Sequence, residues 1–142
     1  MSTRSIIGFD NGDGTLDAVY CHYDGYPEYM YPTITTLLDT KGSEYLKLMI
    51  VRAQLEGGIR QLTPTGVETF GTNDTSWSYT REEIHNGDVG FCECVYIVDQ
   101  SGRIVEFHGT ETHVASMNTL FASAKGSAQG HDGARIVVKT IT

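Results

Sequence analysis

Ser5-Ile6-Ile7-Gly8-Phe9-Asp10-Asn11-Gly12-Asp13-Gly14-Thr15-Leu16-Asp17-Ala18-Val19-Tyr20-Cys21-His22 is the stretch on which the fold turns. Two β-prone runs, Ser5 to Asp10 and Leu16 to His22, flank an Asn-Gly and an Asp-Gly step, and such steps take the positive φ angles of a tight hairpin turn. The Asp10-Asn11-Gly12-Asp13-Gly14 string has a superficial likeness to a calcium loop. An EF-hand, however, needs an acidic third position and a Glu at the twelfth, where this chain has Gly12 and Cys21.

A second hairpin is expected from Phe91 to Asp99 and Arg103 to His108, turning at Gln100-Ser101-Gly102. Its alternation predicts one buried face made of Cys92, Cys94, Tyr96 and Val98, or the complementary set. Ala134 to Ile141 reads as an edge strand, and Gly126 to Gly133 as a flexible turn before it. Helical spacing of apolar residues marks 43–56 and 112–125 as amphipathic helices. Thr33 to Asp39 reads as a short helix after Pro32, and the capping box Thr80-Arg81-Glu82-Glu83 starts another that runs to about Asn86. Residues Gly58 to Ser78 read as extended loop with one short strand near Val67 to Phe70, and Trp77 as an anchor beneath it. The expected fold is α+β in a single domain, 1–142: a mainly antiparallel sheet of two hairpins and a C-terminal strand, with two main helices on one face.

The chain has 142 residues and a net charge of −8, from 10 Lys and Arg against 18 Asp and Glu. That balance opposes duplex nucleic acid as a partner. It leaves room for a local anion site built from Arg4, Arg52, Arg60, Arg81, Arg103 or Arg135. No apolar run approaches the roughly 20 residues of a membrane span, and the N-terminus lacks a secretory h-region, so a cytoplasmic protein is expected. The three cysteines Cys21, Cys92 and Cys94 are expected as free thiols. Cys92 and Cys94, or His108, Glu111 and His113 at a strand-to-helix transition, are the residues a metal would use. Plain packing and helix capping explain both groups without one. No P-loop, G-x-G-x-x-G, G-x-S-x-G or H-E-x-x-H motif is present, and no cofactor is expected.

Tyr20-Cys21-His22-Tyr23-Asp24-Gly25-Tyr26-Pro27-Glu28-Tyr29-Met30-Tyr31 holds five of the eight tyrosines and marks a contact surface leaving one end of the sheet. The candidate ligand-binding residues are Arg4, Tyr20, His22, Tyr23, Asp24, Tyr26 and Tyr29, with Tyr23 and Tyr26 stacking on a base and Arg4 on a phosphate. His22 with Asp24 beside it is the candidate acid–base pair. Homodimerisation is compatible with the exposed aromatics and the edge strand.

The opening Thr3-Arg4-Ser5-Ile6-Ile7-Gly8, the Asp13-Gly14-Thr15 turn and Tyr20-Cys21-His22-Tyr23-Asp24-Gly25-Tyr26-Pro27 together resemble a family of small bacteriophage and prophage proteins. Its pattern is TRS-x-I-G, then D-G-T, then Y-C-H-W/Y-D-G-Y-P; position 23 is Tyr here, where Trp is frequent. The likeness covers residues 2–27. It implies a viral setting inside a host cell and no particular reaction. In that context a counter-defence module that sequesters a small nucleotide-like ligand is the leading expectation. A hydrolase or phosphodiesterase using His22 and Asp24 is the second, and an inhibitor that binds a host defence protein through the tyrosine segment is the third.

Overall fold

Both hairpins form where the sequence places them, and a pairing between them builds the sheet. The computed structural model describes residues 3–124 and 136–141; Gly126 to Gly133, Lys125 and Arg135 lie outside it. Strand β1 (Ser5–Asp10) pairs antiparallel with β2 (Leu16–Cys21), and β6 (Cys94–Asp99) antiparallel with β7 (Ile104–Gly109). Strands β1 and β6 then run parallel in full register, Ser5 beside Cys94 through Asp10 beside Asp99. Strand β3 (Ile59–Thr63) joins β2 in parallel and pairs antiparallel with β4 (Gly66–Thr69); β8 (Val137–Thr140) joins β7 in parallel. The short β5 (Ser78–Tyr79) pairs antiparallel with β2. The order is β4-β3-β2-β1-β6-β7-β8, an eight-stranded mixed sheet counting β5.

The α+β class and both hairpins therefore hold, and the expected mainly antiparallel sheet holds in part: four strand pairings are antiparallel, but β1–β6, β2–β3 and β7–β8 are parallel, which makes the sheet mixed. Turn residues report only local pairing, and the parallel β1–β6 contact joins segments about 90 residues apart, on which no turn bears. This central contact also explains why the expectation of one buried face on the second hairpin fails. Cys94, Tyr96 and Val98 enter one core cluster while Val95 and Ile97 enter another, so β6 is buried on both sides. Cys92 precedes the strand and lies with Val95 and Ile97, not on the face of Cys94.

Three helices cover the first face: α1 (Pro27–Lys41), α2 (Ser43–Leu55) and α4 (Glu111–Ala124). Met30, Ile34 and Leu37 of α1, Leu46, Ile50 and Ala53 of α2, and Met117 of α4 are buried with Ile7, Val19 and Tyr96. The first helix starts at Pro27, six residues before the expected Thr33, and takes in the second half of the tyrosine segment. Pro27 sits at its beginning, where a missing N–H removes no hydrogen bond and the fixed φ suits a helix. Pro32 lies within the helix on its exposed side, so the second proline does not stop it.

The opposite face is covered mainly by irregular chain. The short helix α3 (Arg81–His85), started by the expected capping box of Thr80 and Glu83, contributes Ile84. Val89, Cys92 and Tyr20 are buried there as well, with Trp77 and Tyr79 packed against them. Two strands, β3 and β5, have no counterpart in the pattern reading; Tyr79 of β5 packs on this side, whereas β3 buries its apolar residues with the helices of the first face. β3 has only two fully buried side chains, Ile59 and Leu62, which leave little periodicity to read.

Candidate functional site

Strand β2 changes neighbour near its end, and a cavity sits at that change. Ala18 and Val19 pair with β5, Tyr20 N–H donates to the Trp77 carbonyl at 3.0 Å, and His22 N–H donates to the Ile59 carbonyl at 2.9 Å. Tyr20 and His22, two apart on a strand, project to the same side. Around them Arg4, Gly57, Phe70, Thr72, Trp77 and Phe91 complete a cavity of about 370 Å³. Its lining is chiefly aromatic: the Tyr20 ring lies 4.9 Å from that of Trp77 and 5.8 Å from that of Phe91, and the His22 ring lies 5.6 Å from that of Phe70.

Gly57 makes the wall possible. Its φ is +86°, and a Cβ there would lie 2.2 Å from Thr72 Oγ1. The glycine lets the chain leave α2 and run directly beneath the 70–72 segment.

The polar groups form a short chain. Arg4 Nε donates to Tyr20 Oη at 3.1 Å, and Tyr20 Oη lies 2.6 Å from His22 Nδ1. The Arg4 guanidinium also lies 5.2 Å from the centre of the Phe91 ring. Among the described residues no carboxylate is within ion-pairing distance of Arg4. Burial, followed by the positive charges of Arg4 and Arg60, pushes the His22 pKa down, so the imidazole is neutral at neutral pH. Burial raises the Tyr20 hydroxyl above its ordinary value, more than Arg4 lowers it, and the phenol keeps its proton.

Of the residues singled out from sequence, Arg4, Tyr20 and His22 meet in this cavity. Tyr23 stands just behind it, edge-on to His22 at 4.5 Å with the Arg60 guanidinium 5.6 Å from its ring centre. Asp24, Tyr26 and Tyr29 lie elsewhere. Asp24 adopts φ +54° and accepts from Gln61 Nε2 at 3.3 Å. Tyr29 donates its hydroxyl to the Leu62 carbonyl at 2.7 Å, with the partly exposed Tyr26 ring 6.2 Å away. No hydrogen bond joins His22 to Asp24 among the described residues; the His22 Nδ1 is engaged by Tyr20. Asp24 and Gly25 form a structural turn. Gly25 N–H donates to the Thr3 carbonyl at 2.8 Å, and the Gly25 carbonyl accepts from the buried Tyr96 hydroxyl at 2.7 Å.

Gly57, Phe70, Thr72, Trp77 and Phe91 were not singled out as site residues. Phe91, 57 % exposed, and Phe70 are large aromatics left in solvent, a signal visible only once burial is known. Trp77 does anchor the long loop, its Nε1–H donating to Asp74 at 3.0 Å, and it lines the cavity at the same time.

The other candidate clusters pair off locally. His108 hydrogen-bonds Glu106, and His113 lies 3.0 Å from Glu93. A second cavity, of about 390 Å³, is lined by Arg81, Glu82, His85, Glu106 and Lys139, with Arg81 bridged to Asp10 at 2.9 Å and to Glu106 at 3.7 Å. Among the described residues no three His, Cys, Asp or Glu side chains are grouped to hold a metal ion. The three thiols are buried and unpaired; burial pushes Cys21 and Cys94 up to about 12 and Cys92 up to about 11. Among the described residues no helix is long and apolar enough to cross a membrane.

No protein-family model matches this chain, and neither does any curated protein or solved structure.

Proposed function

We propose that this protein binds and sequesters a small nucleotide-like ligand in the cavity beside Tyr20 and His22. The observation that carries the reading is an aromatic-lined cavity of about 370 Å³ holding a guanidinium with no carboxylate partner among the described residues. The volume falls in the range of roughly 300 to 1,000 Å³ typical of small-molecule sites. Aromatic faces take a planar base, and each stacked base is worth roughly 1 to 3 kcal/mol. Arg4 supplies the charge for a phosphate, and its fork geometry suits that group. The stacking surfaces are Phe70, Trp77 and Phe91 in place of Tyr23 and Tyr26. In the viral setting that the N-terminal motif implies, holding such a ligand removes a signalling nucleotide from the host, which is a counter-defence role.

Trp77 is the chain's one tryptophan and lines the cavity, so its fluorescence reports occupancy directly. Titration with AMP, UMP, adenosine and inorganic phosphate should give saturable quenching by the nucleotides, weaker binding of the nucleoside and no response to phosphate alone. Nucleotide released by denaturing the complex should be chemically intact. An unchanged Trp77 signal with every nucleotide tested refutes the reading.

A further inference from the structure

Arginine has no hydrogen-bond acceptor, so at 3.1 Å the Tyr20 oxygen accepts from Arg4 Nε. The phenolic proton is then available to His22 Nδ1 at 2.6 Å, the other hydrogen-bond partner of the phenol among the described residues. A neutral imidazole that accepts at one nitrogen carries its proton on the other. Nε2 has no partner among the described residues, and His22 lines the cavity. We propose that Arg4 and Tyr20 hold His22 as the Nε2–H tautomer, so that the site recognises a heteroaromatic anion through two donors: Arg4 to the anionic group, and His22 to a bare acceptor on the ring.

This rests on the nucleotide reading above and narrows it. The Tyr20 hydroxyl is engaged on both sides and the Trp77 N–H is engaged by Asp74, which leaves Arg4 and His22, among the described residues lining the cavity, as the charged or ring donors open to a ligand. Among the described residues the groups facing His22 are Tyr20, Tyr23, Phe70 and the cations Arg4 and Arg60, with no carboxylate to draw a second proton onto the ring. The same arrangement separates holding from hydrolysis. An imidazole whose Nδ1 lone pair is committed to a phenol, and whose Nε2 already bears hydrogen, has no basic site for an attacking water. His22 thus orients the ligand as a donor, and the nucleotide stays intact.

The test uses the full chain labelled with 15N. Histidine side-chain correlation spectra, with His22 assigned by its loss in His22→Phe, should show the Nε2–H pattern at neutral pH. Tyr20→Phe, which keeps the ring and removes the relay, should convert it to a mixture of tautomers. AMP is then compared with its 1-deaza, 3-deaza and 7-deaza analogues, each of which replaces one ring acceptor by C–H. One of the three should bind wild-type protein roughly 2- to 12-fold more weakly than AMP, the size of one neutral hydrogen bond. In His22→Phe that difference should vanish. An Nδ1–H tautomer, or an imidazolium, at neutral pH overturns the relay. Equal affinity for AMP and all three analogues overturns the ring-donor role. Failure of AMP itself to bind refutes the nucleotide reading, and the tautomer spectrum distinguishes that result from failure of the relay.

Discussion

Replacing Phe91 by Ala separates a side chain that holds a ligand from one that holds the fold. Phe91 is 57 % exposed, so less than half of its surface contributes to stability. Full burial of a phenylalanine side chain is worth about 1.5–3 kcal/mol, which puts its partial burial at about 1 kcal/mol. The Arg4 guanidinium 5.2 Å from the ring centre adds about 0.5–1 kcal/mol, as expected for a pair at an exposed site. Phe91→Ala should therefore lower the unfolding free energy by about 1–2 kcal/mol, measured by urea titration followed by circular dichroism. Removing one stacking face should weaken a nucleotide by roughly 5- to 150-fold, the equivalent of about 1–3 kcal/mol. The binding assay is quenching of Trp77 in urea-free buffer, since Trp77 borders the same cavity. Unaltered nucleotide affinity in a folded Phe91→Ala protein would refute the stacking argument. A stability loss well above 3 kcal/mol would show that Phe91 belongs to the core.

Arg4→Gln should weaken AMP by about 10- to 100-fold and adenosine by clearly less, because the phosphate loses its charged partner whereas the ring loses at most part of the His22 bond that Arg4 helps to orient; calorimetric titration of both ligands checks this. Tyr96→Phe strands the Gly25 carbonyl in a fully buried site and should cost about 1–3 kcal/mol of stability in urea, with the His22 region displaced through the Asp24–Gly25 turn. Gly57→Ala forces a side chain at φ +86° and against Thr72, and should cost about 1–2 kcal/mol from backbone strain alone. The exposed Thr72 rotates away, so Thr72→Ala should recover only the contact part. His22 has a folded pKa below its ordinary 6.5, so the unfolded chain takes up the proton first as the pH falls. Its contribution to stability is complete above that value and is lost as the pH drops through the folded pKa. Thermal melts between pH 7 and 5 should therefore fall more steeply for wild type than for His22→Phe, and parallel profiles would contradict the assignment.

Much of the local structure is written in short spans of residues. Asn11-Gly12-Asp13-Gly14 and Gln100-Ser101-Gly102 announce two hairpins because their backbone preferences act over four or five residues. Thr80 and Glu83 announce α3 for the same reason, and the spacing of Leu46, Ile50 and Ala53 announces α2. The start of α1 is not legible in the same way: Pro32 reads as its boundary, while the helix begins at Pro27 and carries Pro32 on its exposed side. Arg4, Tyr20 and His22 are visible as candidates by residue type and by their place in the N-terminal motif and the tyrosine segment.

What the chain by itself determined is both hairpins, most of the helices, the α+β class and one side of the cavity, since each follows from interactions between near neighbours. Only tertiary structure decided that β1 runs parallel to β6, and that Gly57, Phe70, Trp77 and Phe91 close around Tyr20 and His22. Those residues come from four separate stretches, and their convergence depends on burying both faces of one sheet at once. That is a long-range packing condition, which no local pattern of residues encodes.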